Sequence, residues 1–233
     1  MTEKVAVITA AGQGIGAAIA RELKESGYQL ALMSNSGGAV KLAEGLGGIA
    51  TTGSVTNPDD LKALVDAAMQ EYGRIDAVVV NTGHPPKGDI LAISDEDWHT
   101  GLDLLILPTA RMARLVTPIF ESQGSGAVVN ISTFSAFEPS PSFPVSSALR
   151  AGLAGYTKLY ADRYAKSNIR MNNVLPGFMD NYPSTPEIVE KIPLGRYAKV
   201  QEVAKTVRFL LSDDAGYITG QNIRVDGGIT RGL

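Results

Sequence analysis

The residues with the clearest chemical meaning form a glycine-rich segment near the N-terminus, which reads Gly12-Gln13-Gly14-Ile15-Gly16. A run of β-branched and small apolar residues precedes it, and a segment with helical spacing follows it. Glycine at a strand-to-helix turn lets the backbone turn tightly and approach a pyrophosphate without a Cβ in the way. The helix start then offers free N–H groups and its positive dipole end to phosphate. The segment therefore predicts a dinucleotide-binding turn.

Alternating strands and helices must position this turn. The pattern of apolar residues predicts strands at Val5–Thr9, Leu30–Met33, Gly48–Gly53, Ile75–Val80, Gly126–Ile131, Ile169–Leu175 and Gln221–Val225. It predicts helices at Ile15–Lys24, at Ala39–Leu46, from Asn57-Pro58 through Tyr72, as one long helix after Ser94, at Ser146–Lys166 and at Val200–Leu211. This alternation is typical of right-handed βαβ units. We therefore expect one α/β domain over residues 1–233, a Rossmann-type doubly wound parallel sheet of about seven strands in three α/β/α layers.

Composition restricts the classes of partner. The net charge of −3 gives no electrostatic reason to expect nucleic acid or an anionic membrane. The sequence has no cysteine, which excludes disulfides, a thiol nucleophile and cysteine-ligated metals, and we expect no metal site. The N-terminus lacks the pattern of a signal peptide, and the apolar run around Leu102–Leu107 is interrupted by Pro108, which favours a buried helix over a membrane span. The expectation is a cytoplasmic protein that acts on a small molecule.

Several motifs in chain order resemble those of the short-chain dehydrogenase/reductase family. Thr9–Gly16 is similar to the family's Thr-Gly-x-x-x-Gly-x-Gly, with Ala10 in the slot of the first glycine. The further matches are Asn81-Thr82-Gly83, Asn130-Ile131-Ser132-Thr133, Asn168-Ile169-Arg170 with Leu175-Pro176-Gly177, and Tyr217-Ile218-Thr219-Gly220-Gln221 with Val225-Asp226-Gly227-Gly228. The resemblance implies a homotetramer or homodimer that reduces carbonyls or oxidises alcohols with NAD or NADP.

The resemblance also implies a set of cofactor contacts. NAD-preferring relatives carry a carboxylate at the position of Ser34, where it accepts both ribose hydroxyls of the adenosine. Its absence here favours NADP over NAD, although neither Asn35 nor Ser36 supplies a cation for a 2′-phosphate. Ser54 stands where the family's aspartate contacts adenine. A pocket that has diverged because it no longer binds a cofactor stays an alternative. The implied contacts are Gly12, Gln13, Gly14, Ile15, Gly16, Ser34, Asn35, Ser54, Asn81, Thr82, Gly83, Arg150, Pro176, Gly177 and Phe178.

The positions that carry the family's chemistry are substituted. Relatives use a tyrosine that shares its proton with the carbonyl oxygen, a lysine that lowers the pKa of that tyrosine, and an upstream serine. Alignment places Ser146, Arg150 and Thr133 in these three slots, and Leu105 in the slot of a polar residue that anchors a relay water. An alkyl hydroxyl is far less acidic than a phenol, whose pKa is ~10, and arginine does not give up its proton. Thr133, Ser146 and Arg150 are therefore the predicted catalytic residues of an atypical mechanism.

Other residues are weaker candidates for the proton donor. His84 follows Asn81-Thr82-Gly83, and histidine titrates near neutral pH, although a surface loop residue stiffened by two prolines is the favoured interpretation. Tyr182 lies in the short predicted substrate loop near 178–195, where Asn181 replaces a threonine that often contacts the cofactor amide. Asp103 and Arg111 are predicted to be structural or interface charges.

Three functional hypotheses stay open. The first is an atypical NAD(P)-dependent oxidoreductase, similar to ketoreductases, in which Thr133 and Ser146 bind the substrate oxygen and Arg150 supplies positive charge. The second is a non-catalytic dinucleotide-binding protein or a partner subunit of an active relative. The third is a lyase that resembles halohydrin dehalogenases, which share the fold and use Ser, Tyr and Arg, although this chain keeps the glycine turn and lacks their tyrosine.

Overall fold

The sheet has seven parallel strands. The computed structural model describes residues 3–232, so Met1, Thr2 and Leu233, at the ends of the predicted domain, lie outside the described part. The strands are β1 (Val5–Ile8), β2 (Gln29–Ser34), β3 (Ile49–Thr52), β4 (Ala77–Val80), β5 (Gly126–Ile131), β6 (Ile169–Pro176) and β7 (Asn222–Val225). Their spatial order is β3-β2-β1-β4-β5-β6-β7, and every neighbouring pair is parallel. The predicted doubly wound sheet is confirmed.

Helices cover both faces of this sheet. They are α1 (Gly14–Glu25), α2 (Gly38–Leu46), α3 (Pro58–Tyr72), α4 (Asp95–Leu105), α5 (Leu107–Gln123), α6 (Pro144–Tyr164), α7 (Pro186–Val189) and α8 (Val200–Leu211). Side chains alternate between the faces of a strand, so Ala6 and Ile8 of β1 pack against α1, α2 and α8, whereas Val7 packs against α3, α5 and α6. Because both of their faces are buried, the central strands β1 and β4 consist only of apolar residues.

The direction of strand succession reverses between β1 and β4. The chain runs outward from β1 through β2 to β3 and then returns to place β4 on the other side of β1. Ile8 of β1 pairs with both Leu32 and Val79, so the three strands end at the same level. In open α/β sheets a ligand binds in the crevice that forms at such a switch point, beyond the carboxyl ends of the strands.

The predicted long helix after Ser94 is divided into α4 and α5 at Ile106. Pro108 explains the break, because its nitrogen carries no hydrogen and cannot continue the hydrogen-bond ladder of α4. The apolar run around Leu102–Leu107 is accordingly shared between the two helices. In residues 3–232 no helix is both long enough and apolar enough to cross a membrane.

The fourth strand begins two residues later than the predicted Ile75–Val80. The side chain of Gln123 takes the place of a strand neighbour at Ile75: its Oε1 accepts from the Ile75 N–H (3.1 Å) and its Nε2 donates to the Ile75 carbonyl (2.6 Å). Ile75 itself is fully buried. The apolar pattern therefore located a buried segment correctly, and a side chain distant in sequence decided where the strand begins.

Candidate active site

Backbone packing fixes the glycine turn between β1 and α1. A Cβ built on Gly16 would lie 2.3 Å from the carbonyl oxygen of Ala10, closer than any side chain tolerates. Gly14 has a φ of +54°, and a Cβ built on it would lie 3.3 Å from Nδ2 of Asn181. Ala10 has a φ of +47°, in a backbone region that costs an L-residue about 1–2 kcal/mol. Glycine is thus required at Gly14 and Gly16 for different reasons.

The start of α1 is left open toward the crevice. Gln13 precedes the helix, is exposed and makes no side-chain cap hydrogen bond, and the first turn carries no acidic residue. By contrast, Asn57 caps α3 and Ser94 caps α4, and both helices carry acidic residues in their first turn. The uncapped N–H groups of α1 therefore stay available to an anion, which is what a dinucleotide phosphate needs.

Asn81 joins the end of β4 to the glycine turn. Its Nδ2 donates to the Ala10 carbonyl (3.1 Å), its backbone N–H donates to Thr9 Oγ1 (3.0 Å), and Thr9 Oγ1 donates to the Asn81 carbonyl (2.7 Å). Thr82 is half-buried and Gly83 is exposed. The predicted cofactor residues after β4 are thereby brought against the predicted turn, as a shared site requires.

The serine predicted to face the adenosine ribose is tied to its own loop. Ser34 is buried, its Oγ donates to the Ser36 carbonyl (2.6 Å), and it accepts from the Ala39 N–H (3.0 Å) at the start of α2. Its hydroxyl proton is therefore engaged. Asn35 and Ser36 next to it are exposed, and they are the polar groups that this loop presents to a ligand. A Cβ on Gly12 would meet Ser34 Oγ at 3.0 Å, so the turn packs directly on this loop.

Ser54, which follows β3, is half-buried and held by its neighbours. Its Oγ is 2.8 Å from Thr56 Oγ1, and its backbone N–H donates to Oδ2 of Asp60 (2.8 Å). Arg111 donates to the Thr56 carbonyl (2.8 Å) and pairs with Asp103 at 2.8 Å. The two charges predicted to be structural or interface groups thus fasten α4 and α5 to the loop after β3.

The two predicted substrate hydroxyls are free. Thr133 follows the end of β5 and Ser146 lies in the first turn of α6. Both residues are half-buried. Neither Thr133 Oγ1 nor Ser146 Oγ hydrogen-bonds to any residue in the range 3–232. A half-buried hydroxyl without a protein partner can bind a substrate oxygen at little cost.

Arg150 is a buried cation one helical turn beyond Ser146. Its Nη1 donates to the Ile131 carbonyl at the end of β5 (2.5 Å), and its buried Nε has no partner among the described residues. Burial lowers the pKa of Arg150 from 12.5 to about 10, so the side chain stays charged at neutral pH. The buried Ser132 Oγ, one residue before Thr133, is also without a partner. A ligand or a water molecule can complete the hydrogen bonding of such unpaired polar groups.

A buried polar network holds α6 against the sheet beneath these groups. Asn130 Nδ2 donates to Thr157 Oγ1 (3.2 Å) and to Asn173 Oδ1 (2.9 Å), and Thr157 Oγ1 donates to the same Asn173 oxygen (2.9 Å). Thr109 of α5 donates to Asn130 (3.0 Å), and Asn173 donates to Asn222 of β7 (2.7 Å). The network connects five elements, so the position of α6 is set by the tertiary structure.

Leu105 is buried at the end of α4. The helix lies close to the start of α6, because a Cβ on Gly101 would be 2.4 Å from Cγ1 of Val145. The predicted role of position 105, the loss of a water-anchoring group, stays a prediction. Leu105 acts here as a packing residue.

The segment after β6 closes the other side of the crevice. Pro176 ends β6, and a Cβ on Gly177 would be 2.8 Å from Cα of Asp226. The ring of Phe178 lies 5.6 Å from that of Phe134 and 5.5 Å from that of Tyr197. This aromatic cluster forms an apolar wall next to Thr133.

The two weak candidates for a proton donor are in contact with one another. His84 Nε2 lies 2.5 Å from Tyr182 Oη, and the rings meet edge to face with centroids 5.6 Å apart. Desolvation and the positive charges of Lys87 and Arg150 lower the pKa of His84 below its usual 6.5. The sequence predicts each residue separately as a weak candidate for the proton donor. No local signal connects them, because they lie 98 residues apart.

Comparison with known proteins identifies the family. A family model described as enoyl-(acyl carrier protein) reductase matches residues 9–230. The chain is 35% identical to the 3-oxoacyl-acyl-carrier-protein reductase FabG of Thermotoga maritima, over 97% of each sequence. It belongs to the short-chain dehydrogenase/reductase family. A second relative within this family, human dehydrogenase/reductase SDR family member 4, is 34% identical over 98% of this chain and 88% of that protein.

Solved structures of two reductases share the fold. The L-sorbose reductase of Gluconobacter frateurii, solved with NADPH and L-sorbose, superposes with a TM-score of 0.92 at 28% identity and covers 100% of this chain and 98% of its own. YwfH, an NADPH-dependent reductase of bacilysin biosynthesis, superposes with a TM-score of 0.93 at 23% identity, covering 99% of this chain and 100% of its own. The family resemblance is confirmed, and the roles of individual residues stay predictions.

Proposed function

We propose that this protein is an NADP(H)-dependent oxidoreductase that interconverts a carbonyl and an alcohol through a substituted active site. The observation that carries the proposal is the pair of free, half-buried hydroxyls of Thr133 and Ser146 beside the buried cation of Arg150. These groups lie at the carboxyl end of β5 and at the start of α6. The open glycine turn follows the carboxyl end of β1 and therefore lies at the same edge of the parallel sheet.

The described residues fit a nicotinamide dinucleotide. The diphosphate would bind the uncapped N–H groups at the start of α1, and the adenosine end would meet Asn35 and Ser36 rather than the Ser34 hydroxyl. The absence of a carboxylate at this loop supports NADP(H), as does the NADPH named with the L-sorbose reductase structure. When bound, the cofactor supplies or accepts the electron pair that reduces or regenerates the carbonyl.

The side chains supply positioning and charge. Thr133 and Ser146 hold the substrate oxygen by hydrogen bonds, and Arg150 stabilises the negative charge that grows on it. In this proposal Ser146 and Arg150 occupy the positions at which relatives carry the tyrosine and lysine, so Ser146 orients the oxygen without acting as its acid. The segment 178–195 closes over the substrate with Phe178 in its apolar wall.

The proposal extends to assembly as a homodimer or homotetramer. The outward face of α6 carries Ala151, Gly152 and Gly155, all exposed, together with Leu159, whose side chain is 71% exposed. Small residues allow a second helix to approach closely, and burial of an exposed leucine by a partner contributes favourably to the free energy of association.

The test combines nucleotide binding with turnover. Purified protein is titrated with NADPH and NADH by fluorescence, and then assayed on a panel of carbonyls, alcohols and halohydrins. We expect NADPH to bind more tightly than NADH and at least one carbonyl to be reduced. Absence of binding to either nucleotide refutes the proposal. Binding without turnover identifies a non-catalytic dinucleotide-binding protein, an outcome consistent with the engagement of Arg150 by the Ile131 carbonyl. Nucleotide-independent conversion of a halohydrin identifies a lyase.

A further inference from the structure

Contacts connect the two loops that carry His84 and Tyr182 to the glycine turn and to the start of α6. On one side, His84 lies three residues after Asn81, whose side chain donates to the Ala10 carbonyl, and Tyr182 follows Asn181, which faces Gly14. On the other side, the Nζ of Lys87 lies 5.1 Å above the ring of Phe143, the residue that precedes α6. The loop after β4 therefore reaches from the nucleotide turn to the helix that carries Ser146 and Arg150.

Two loops distant in sequence hold this pair. His84 follows β4 and Tyr182 follows β6, and they are joined by the 2.5 Å contact between Nε2 and Oη. Pro85 is buried and anchors the loop next to His84, while the Tyr182 N–H donates to the Met179 carbonyl (3.2 Å). His84 and Tyr182 are both exposed to solvent, and Tyr182 is 51% exposed. The pair is thus both held in place and open to solvent protons.

The substituted positions leave one requirement of the chemistry unmet. Ser146 has a hydroxyl that is far less acidic than a phenol, and Arg150 holds its proton. A phenol bonded to an imidazole meets that requirement, because the imidazole accepts the phenol's proton and exchanges it with water.

We propose that Tyr182 is the acid and base of this active site and that His84 is its proton relay, a role that rests on the proposed oxidoreductase function. In alcohol oxidation the alcohol O–H bond breaks and its proton passes to Tyr182 Oη, while the Tyr182 proton passes to His84 Nε2. The carbon-bound hydrogen leaves with its electron pair to the oxidised nicotinamide dinucleotide, and the carbonyl double bond forms. His84 then releases one proton to water, and carbonyl reduction is the reverse of these steps.

The surroundings of His84 favour its neutral form, which is the form that accepts a proton. Among the described residues, the groups that act on its ring are Tyr182, which is in contact, and the cations Lys87 and Arg150. Desolvation and these two charges lower the pKa of His84 below 6.5. Alcohol oxidation should therefore lose rate as pH falls through this pKa, because the imidazolium cannot accept the proton from Tyr182.

Matched variants test the pair. Tyr182→Phe and His84→Gln are compared with Tyr217→Phe and His99→Gln, which change a fully exposed tyrosine and an exposed histidine elsewhere. With a substrate that the wild type converts, Tyr182→Phe should lower kcat by roughly 10²-fold, within the range for general acid–base catalysis, without loss of NADPH affinity. His84→Gln should lower kcat less and remove the acid limb of the oxidation pH profile. Both control variants should behave as wild type.

A measurement without turnover accompanies the kinetics. The chain has two histidines, so ring nitrogen NMR signals are readily assigned with the two histidine variants. Tyr182→Phe should shift the Nε2 signal of His84 and leave that of His99 unchanged, and an unchanged His84 signal overturns the pair. Wild-type turnover that Tyr182→Phe leaves intact overturns the inference alone. A wild type that binds no nucleotide, or that converts nothing on the panel, overturns the proposed function together with this inference.

Discussion

Arg150 should lower the stability of the fold that contains it, so Arg150→Met is expected to make the protein more stable. The fall of its pKa from 12.5 to about 10 is caused by desolvation alone, and it corresponds to about 3 kcal/mol of unfavourable free energy for the charged form. One charge-assisted hydrogen bond, from Nη1 to the Ile131 carbonyl, offsets about 1.5–3 kcal/mol of this cost. Methionine keeps an unbranched, flexible side chain without the charge, so we expect a gain of about 1 kcal/mol.

Denaturant unfolding measures this change, and Arg163→Met on the same helix is the control. Arg163 is exposed, so its replacement should change the free energy of unfolding by less than about 0.5 kcal/mol. Because the cost of a cation with a lowered pKa is fully present below that pKa, the gain from Arg150→Met should be equal at pH 6 and pH 8. It should diminish only as pH rises through about 10.

The same variant should lose function. NADPH affinity and turnover should both fall in Arg150→Met, since the cation is retained for the ligand at the expense of stability. A variant destabilised by more than about 1 kcal/mol would show that the hydrogen bond to Ile131 outweighs the desolvation cost. Arg150 would then be a structural residue, and its proposed electrostatic role would lose its support.

Three further changes test the turn and the adenosine loop by denaturant unfolding and NADPH titration. Ala10→Gly should raise the free energy of unfolding by about 0.5–1 kcal/mol, because glycine adopts the φ of +47° without strain; a loss of stability would refute the assigned strain. Gly16→Ala should lower the free energy of unfolding by at least about 2 kcal/mol and abolish NADPH binding, because its Cβ would meet the Ala10 carbonyl at 2.3 Å. The control Gly45→Ala, in the exposed face of α2, should raise the free energy of unfolding by up to about 1 kcal/mol. Ser34→Ala should lower the free energy of unfolding by about 1 kcal/mol, because the buried Ala39 N–H loses its acceptor, and it should have little effect on NADPH affinity. Asn35→Ala should lower NADPH affinity and have little effect on the free energy of unfolding. Equal loss of affinity in both would return Ser34 to the ribose site.

The sequence by itself determined the fold and predicted the place of the nucleotide site. Strands buried on both faces require nearly continuous apolar runs, which predicted β5 at Gly126–Ile131 with the observed bounds. The helical spacing of apolar residues likewise predicted α8 at Val200–Leu211 with the observed bounds. The glycine turn could also be predicted from the sequence, because local backbone geometry dictates its residues. That Ser146 and Arg150 stand in the place of a phenol and an amine stays a prediction from the family's motif.

Only the tertiary structure decided which polar groups are free to act. The sequence predicts that Ser34 contacts the ribose, but its hydroxyl is hydrogen-bonded to the Ser36 carbonyl and the Ala39 N–H. The hydroxyls of Thr133 and Ser146, by contrast, have no hydrogen-bond partner in residues 3–232. The contact between His84 and Tyr182 arises because parallel strands deliver the loops after β4 and β6 to the same edge of the sheet. Hydrogen bonds between such loops depend on strand order and register, which no local stretch of sequence encodes.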